Sequence, residues 1–325
     1  MSKEKKDPNV PERPAILFLV QEFLDSQFLK HETKKDKKDK KDEEPIKERF
    51  SQQCSKLNEA KAVCVLNNQF EDPAARLSYM LLHFTHNAYI VNSVLSDAYS
   101  ACTNIRTQTT VFNEMMRSID WGRLSVFSFG GGSGSDILGV LMWLHRFGFN
   151  ARVTAATTDT CAQWESTMNN IFKMMLYETP ELATKEPNPQ QQYTHNLWRK
   201  LDGGIKFFHS SLSTPDALYK PGSKELIAVS QADLITFPFV ISGLAESTDA
   251  SHAIQYVLDS MKPGAVLVYI DFVEGSHTEL LNNLAYWCGL RRIYYMKEMQ
   301  YELPEYEKPE FLQDYTREVI VSTYS

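Results

Sequence analysis

The stretch from Leu124 to Asp136, LSVFSFGGGSGSD, constrains this chain more than any other. Leu124 to Phe129 is a short apolar run, the signature of a buried strand. Gly130, Gly131, Gly132 and Gly134 follow at once, and the apolar segment from Asp136 to Leu144 reads as a helix. Strand, glycine turn and helix in direct succession place backbone amides where no Cβ atoms obstruct a ligand. A flexible Gly/Ser linker would not sit tightly between an apolar strand and an apolar helix.

The glycines are spaced GxGxG, from Gly130 through Gly132 to Gly134. Dinucleotide oxidoreductases space theirs GxGxxG. The pattern resembles motif I of the class I methyltransferases that use S-adenosylmethionine. That family often carries an acid two places before the first glycine, where this chain has Ser128.

The rest of the chain agrees with an α/β fold. Strands are expected near 124–129, 151–157, 205–209, 232–239 and 264–271, with helices between them, which implies a parallel sheet covered on both faces. Arg292 to Leu303 and Arg317 to Thr323 read as two further strands with no helix between. The resemblance implies a doubly wound, mostly parallel seven-stranded sheet whose last strand inserts antiparallel. Residues 120–325 would form this cofactor-binding domain.

Ahead of it, residues 45–119 read as a helical block. Asp72-Pro73 supplies an N-cap followed by a proline at the first helical position, and Leu77, Leu81, Phe84, Ala88, Val91 and Leu95 mark one long apolar stripe. Residues 1–44 read as a mostly disordered tail and Lys-rich linker containing one helix, 14–29, whose wide apolar face favours docking on the main body. Lys34 to Glu44 interleaves lysines with acids, a solvated low-complexity run. Thr179 to Tyr193 reads as an irregular insertion at the amino-terminal edge of the sheet.

Of the 325 residues 43 % are hydrophobic, enough for a large core, and the net charge of −7 argues against broad attraction to nucleic acid while leaving room for a local basic surface. The five cysteines form no CxxC pair, so no zinc site is expected and reduced thiols in a cytoplasmic protein are, with a nuclear address as the alternative. The first apolar run, Ala15 to Val20, is far short of the roughly 20 residues a bilayer demands.

In open α/β sheets ligands sit outside the carboxyl ends of the strands. That rule nominates the glycine turn and Asp136 for the methionine end of S-adenosylmethionine, with Asp136 reaching the ammonium or else only favouring the helix dipole. Asp159 ends strand 2 and is suited to accept the ribose hydroxyls, the place where the family also has an acid; its other reading is a helix cap. Ser210 ends strand 3, where relatives have an aspartate on the adenine, with Asp216 as the nearest acid. Phe237 and Phe239, in the strand that resembles motif IV, are candidates for a wall against a ring. Asp271 and Glu274 follow strand 5, and His83 and His86 precede the domain. No side chain identifies itself as a general base, and no hydrolase or P-loop motif occurs.

The reading is an S-adenosylmethionine-dependent methyltransferase with a lean to an RNA acceptor. The helical stretch before the domain, ARLSYMLLHFTHNAYIVNSVL, resembles the upstream helices of fungal ribosomal RNA uridine methyltransferases. Arg76, Lys61, Arg106 and Arg117 are the expected phosphate contacts. The alternatives are a small-molecule, amine-type methyltransferase and a non-catalytic module that keeps the fold.

Overall fold

A computed structural model describes residues 12–35, 45–59, 69–104, 110–176, 188–210, 212, 222–241, 248–272, 277–302 and 316–324. The expectations for residues 1–11, the Lys-rich run beyond Lys35, Lys61, Arg106, Asp216 and Glu274 lie outside the described residues.

Seven strands form one sheet in the order β3-β2-β1-β4-β5-β7-β6. They are β1 Arg123–Phe129, β2 Arg152–Asp159, β3 Leu201–His209, β4 Leu234–Pro238, β5 Val266–Phe272, β6 Arg292–Glu302 and β7 Thr316–Tyr324. β1 pairs parallel with β2 and β4, β2 with β3, and β4 with β5. β7 runs antiparallel to both β5 and β6. The order reverses at β1, which lies between β2 and β4, and such a switch point opens the crevice where open α/β sheets bind ligands.

Helices cover both faces. One core joins Leu124, Val126, Val153, Leu234, Val266 and Val268 of the sheet to the amino-terminal helices and those after β1 and β2. The alternate side chains, among them Phe127, Phe129, Ile235, Phe237, Leu267 and Tyr269, form a second core with the helices of the carboxyl half. The period of two along each strand produces this division.

The amino-terminal helix α1, Glu12–Lys35, is longer than the segment 14–29 expected from its apolar pattern. It is docked, with Ile16, Leu19, Val20, Phe23 and Leu24 all at 2 % exposure or less. The helical block then contributes α2 Ile46–Glu59, a 3₁₀ turn Gln69–Glu71, α3 Pro73–Tyr79, a π-helical turn Met80–Phe84, α4 Thr85–Asn104 and α5 Thr110–Asp120. Asp72 caps α3, its carboxylate accepting the Ala74 N–H at 2.9 Å. The single long stripe read from Leu77 to Leu95 is therefore interrupted. The π turn inserts a wide loop of backbone, and Leu82 rather than Leu81 becomes the buried residue there.

The helices of the sheet domain are α6 Ser135–Arg146, α7 Gln163–Met174, α8 Pro189–Trp198, α9 Lys224–Gln231, α10 Thr248–Asp259 and α11 His277–Trp287. α8 corrects the expectation of an irregular insertion over Thr179 to Tyr193. Asn188 and Gln191 form a reciprocal capping box, with Pro189 at the first position, and start a helix within that stretch.

Candidate functional site

β1 delivers the chain to the switch point, and the turn from Gly130 to Gly134 leads into α6. Gly130 and Gly134 take left-handed φ values of 61° and 78°, closed to most L residues. Gly131 and Gly132 are required for space. A Cβ on Gly131 would lie 1.9 Å from Ser128 Oγ, 2.8 Å from Thr157 Oγ1 and 3.0 Å from Asp136 Oδ1. One on Gly132 would lie 2.5 Å from both Asp159 Oδ2 and Trp164 Cδ1.

Three oxygens thus converge beneath Gly131, and they share a second property. Ser128 Oγ, Thr157 Oγ1 and Asp136 Oδ1 are buried without a hydrogen-bond partner among the described residues. Asp136 is completely buried in the first turn of α6. Its other oxygen, Oδ2, accepts the Thr236 hydroxyl. Burial pushes the Asp136 carboxyl above the usual carboxylate range. The Thr236 hydroxyl opposes that rise, as does the Ser128 hydroxyl, which lies nearby outside hydrogen-bond geometry. Buried polar atoms without partners are rare; the carboxylate oxygen asks for a donor, and each hydroxyl for a donor or an acceptor, from outside the chain.

Asp159 ends β2 and holds the glycine turn. Its Oδ2 accepts the Gly132 N–H at 3.1 Å and its Oδ1 accepts the Cys161 N–H at 2.9 Å. It does not cap α7, which starts at Gln163 with Ala162 at the cap position. Burial raises its carboxyl to about 6, against the opposing pull of the Cys161, Gly132 and Thr160 amides and of His209. Ser210, half-buried, stands beside it: the Thr158 and Ser210 hydroxyls are hydrogen-bonded to each other, and the Ser210 N–H donates to the Asp159 carbonyl at 3.0 Å.

Phe237 is not at the surface of this crevice. It is fully buried in the second core and stacked on Phe129 at a centroid distance of 4.7 Å, which corrects its assignment as a cofactor contact. Phe239 differs from it. It is the one non-glycine residue with positive φ among the described residues, at 57°. The left-handed backbone turns its half-buried ring off the face of Phe237 and toward the first core, at the carboxyl end of β4. Such strain in a bulky residue is uncommon outside functional sites. Asp271, at the end of β5, is fully buried and engaged.

The helical block closes the crevice from the amino-terminal side. Trp164, against Gly132, packs at 5.2 Å from Phe70 and 5.4 Å from Tyr79, and Tyr79 is 4.9 Å from His83. His83 and His86 are each 1 % exposed. The π turn is therefore linked to the glycine turn through Tyr79 and Trp164, which stand between them. Arg76 is not a phosphate contact: its guanidinium is buried, donating to the Phe70 and Glu71 carbonyls and to Thr167 Oγ1. Of the expected phosphate contacts only Arg117 is both described and exposed. No group of metal-ligating side chains occurs among the described residues, and no described helix is long and apolar enough to cross a membrane.

A parallel sheet ordered 3-2-1-4-5, closed by an antiparallel β7 between β5 and β6, with a glycine turn after β1 and an acid at the end of β2, decides the architecture. The fold is that of a class I methyltransferase. No protein-family model and no curated protein matches the sequence. Among solved structures, an S-adenosylmethionine-dependent methyltransferase of Methanosarcina mazei is 13 % identical, with a TM-score of 0.39 over 62 % of this chain and 92 % of its own. A candidate RNA methyltransferase of Pyrococcus horikoshii is 13 % identical, with a TM-score of 0.36 over 68 % and 85 %. The N-methyltransferase NodS of Bradyrhizobium japonicum is 12 % identical, with a TM-score of 0.34 over 66 % and 92 %.

Proposed function

We propose that the protein is an S-adenosylmethionine-dependent methyltransferase acting on RNA. The observation that carries the first half is the set of unpartnered buried oxygens under Gly131, Ser128 Oγ, Thr157 Oγ1 and Asp136 Oδ1, at the carboxyl end of β1. An ammonium group is a donor of several hydrogen bonds and carries the charge that offsets a buried carboxylate. Asp136 stands in for the acid the family often has at position 128. Asp159, at the end of β2, would accept ribose hydroxyls once its carboxylate is ionised, and Ser210 would offer a hydroxyl near the same strand ends. When bound, the cofactor supplies a methyl group on a sulfonium. The chain's part is to bind it, orient it and keep water from the transfer path.

The acceptor side would be bounded by Phe239, whose strained backbone aims its ring away from the core of Phe237, and by the π turn with its buried His83. This arrangement excludes water through aromatic surface. It supports a flat acceptor, and a nucleobase fits that description. Calorimetry with S-adenosylmethionine and its demethylated product tests the cofactor half. Wild-type protein with no binding at millimolar cofactor would overturn it. Labelled methyl donor presented with total RNA and, separately, with a metabolite extract tests the acceptor. Label in the small-molecule fraction alone would replace RNA by a small amine-type acceptor, and label in neither would favour a non-catalytic module.

A further inference from the structure

The opposite, amino-terminal edge of the sheet carries a feature that methyl transfer does not use. Arg123 opens β1 and Arg152 opens β2, and the parallel register sets them directly opposite each other. Both are exposed. Strands pair about 4.8 Å apart, and like charges facing across a pair destabilise the sheet. The row continues. The Arg152 guanidinium donates to the carbonyl of Arg199 at 2.6 Å, and the exposed Arg199 precedes β3. Arg146, exposed at the end of α6, comes just before β2, with Asp97 as its acidic neighbour. Asp120 and Asp202 are the exposed acids nearest in sequence to the row. No ion pair joins Arg123, Arg152 or Arg199 to a carboxylate among the described residues. This cationic row belongs to a chain with a net charge of −7.

Trp121 lies in the turn that leads into Arg123 and is 81 % exposed, the largest value for any big apolar side chain among the described residues. A ligand that satisfies both features has repeated negative charges and flat apolar rings. An acidic peptide would match the arginines and leave the indole in water. Single-stranded nucleic acid matches both, phosphates to guanidiniums and a base to Trp121.

We propose that this edge, Trp121 with Arg123, Arg152 and Arg199, is a docking surface for single-stranded RNA. It takes from the RNA-acceptor reading only the choice of RNA over DNA. β1 has 7 residues, so the surface stands about 20 Å from the glycine turn. It anchors a substrate longer than the acceptor nucleotide itself.

The test is fluorescence anisotropy with a labelled single-stranded RNA and the full chain without cofactor, repeated across a salt series. Wild type is expected to bind, with affinity falling steeply as salt rises. R123E/R152E is expected to bind about tenfold or more weakly, with a shallower salt dependence. W121A is expected to lose about fivefold or more with the salt dependence unchanged, because stacking is not ionic. Melting curves establish that both variants are folded. RNA affinity equal to wild type in both would overturn the proposal, as would wild-type binding of polyglutamate as tight as that of RNA. Calorimetry with S-adenosylmethionine on the same samples separates the two readings. A wild type that binds RNA through this edge and no cofactor leaves the docking surface standing and removes the methyltransferase.

Discussion

The backbone N–H of Gly132 donates to Asp159 Oδ2 at 3.1 Å, tying the glycine turn after β1 to the end of the neighbouring strand. One carboxylate thereby does two things in the free protein. It fixes the turn, and through Oδ1 it fixes the start of the chain toward α7 by the Cys161 N–H. The residue expected to meet a ribose is also the residue that shapes the loop meant to hold the rest of the cofactor.

Replacing Asp159 by alanine is therefore expected to affect binding and stability together. Both N–H groups lose their acceptor, which costs about 1–3 kcal/mol for each group left buried and unpaired. D159N keeps one carbonyl oxygen for Gly132 or Cys161 but turns an NH2 group toward the other N–H, so it should recover at most about half of the lost stability while weakening cofactor binding about tenfold or more. Calorimetry and thermal melts on the two variants check this. Wild-type affinity in D159N would show that the carboxylate is purely architectural.

The elevated Asp159 carboxyl sets a pH dependence with a definite direction. Its folded value is about 6, above the ordinary carboxylate value near 3.9, so the native state holds the proton more tightly than the unfolded chain. The stability contributed by the protonated form is present below about pH 4 and is lost as pH rises to about 6. Cofactor binding should run the opposite way. Ribose hydroxyls donate to the ionised carboxylate, so affinity rises as pH passes upward through about 6. Titrations of affinity and of melting temperature between about pH 4 and pH 8, read as the difference between wild type and D159N, measure both slopes. An affinity that falls over that range would contradict the assignment.

Much of this arrangement was legible in the linear chain because it is local. An apolar run, glycines and an apolar helix in succession fix β1, the turn and α6 without help from distant residues. The misassignments each have a tertiary cause, or a signal diluted by its surroundings. Alternation places Phe237 and Phe239 on one face, and only the left-handed backbone at Phe239 separates them. The stripe from Leu77 to Leu95 keeps its helical spacing through Met80–Phe84, so nothing in it announces a π turn. The helix at Pro189 did carry its signal, Asn188 followed three residues later by Gln191, inside a stretch whose prolines and glutamines suggest irregularity. The hydrogen bond from Gly132 to Asp159 joins the turn after one strand to the end of another, and no pattern in either segment reveals it. Of the cations expected to meet RNA, Arg76 is the one the fold redirects: read as a surface charge, it holds the carbonyls of Phe70 and Glu71.

Asp136 is expected to show a trade between stability and binding. Its carboxyl is fully buried with Oδ1 unpartnered, and burial has raised its proton affinity. D136N preserves the size and leaves an oxygen to accept the Thr236 hydroxyl, while removing a charge that is expensive to bury. The variant should melt at or above the wild-type temperature and bind S-adenosylmethionine about tenfold or more weakly, since the ammonium loses its counter-charge. Differential scanning calorimetry and titration calorimetry decide it. A variant that is destabilised yet binds with wild-type affinity would make Asp136 a structural acid of the α6 amino terminus.

The packing of α4 on α6 supplies the last prediction, because α4 continues from the π turn that Tyr79 and Trp164 link to the glycine turn. A Cβ on Gly139 would lie 2.5 Å from the carbonyl oxygen of Ala88 and 2.7 Å from Val91 Cβ. In an isolated helix, alanine for glycine gains about 1 kcal/mol. Here the nearest atom is backbone, which cannot step aside as a flexible side chain would, and forcing the two helices apart costs about 1–3 kcal/mol. G139A should therefore be net destabilised, by up to about 2 kcal/mol. G139V should be worse, since a branched side chain adds to the clash and removes the helical gain. Moving α4 also moves His83, Tyr79 and, through Trp164, the wall beside Gly132. The loss should consequently appear in acceptor turnover before it appears in cofactor affinity. Chemical denaturation gives the first number and a comparison of turnover with calorimetric affinity gives the second. A G139A protein more stable than wild type would show that α4 and α6 are not in backbone contact at Gly139.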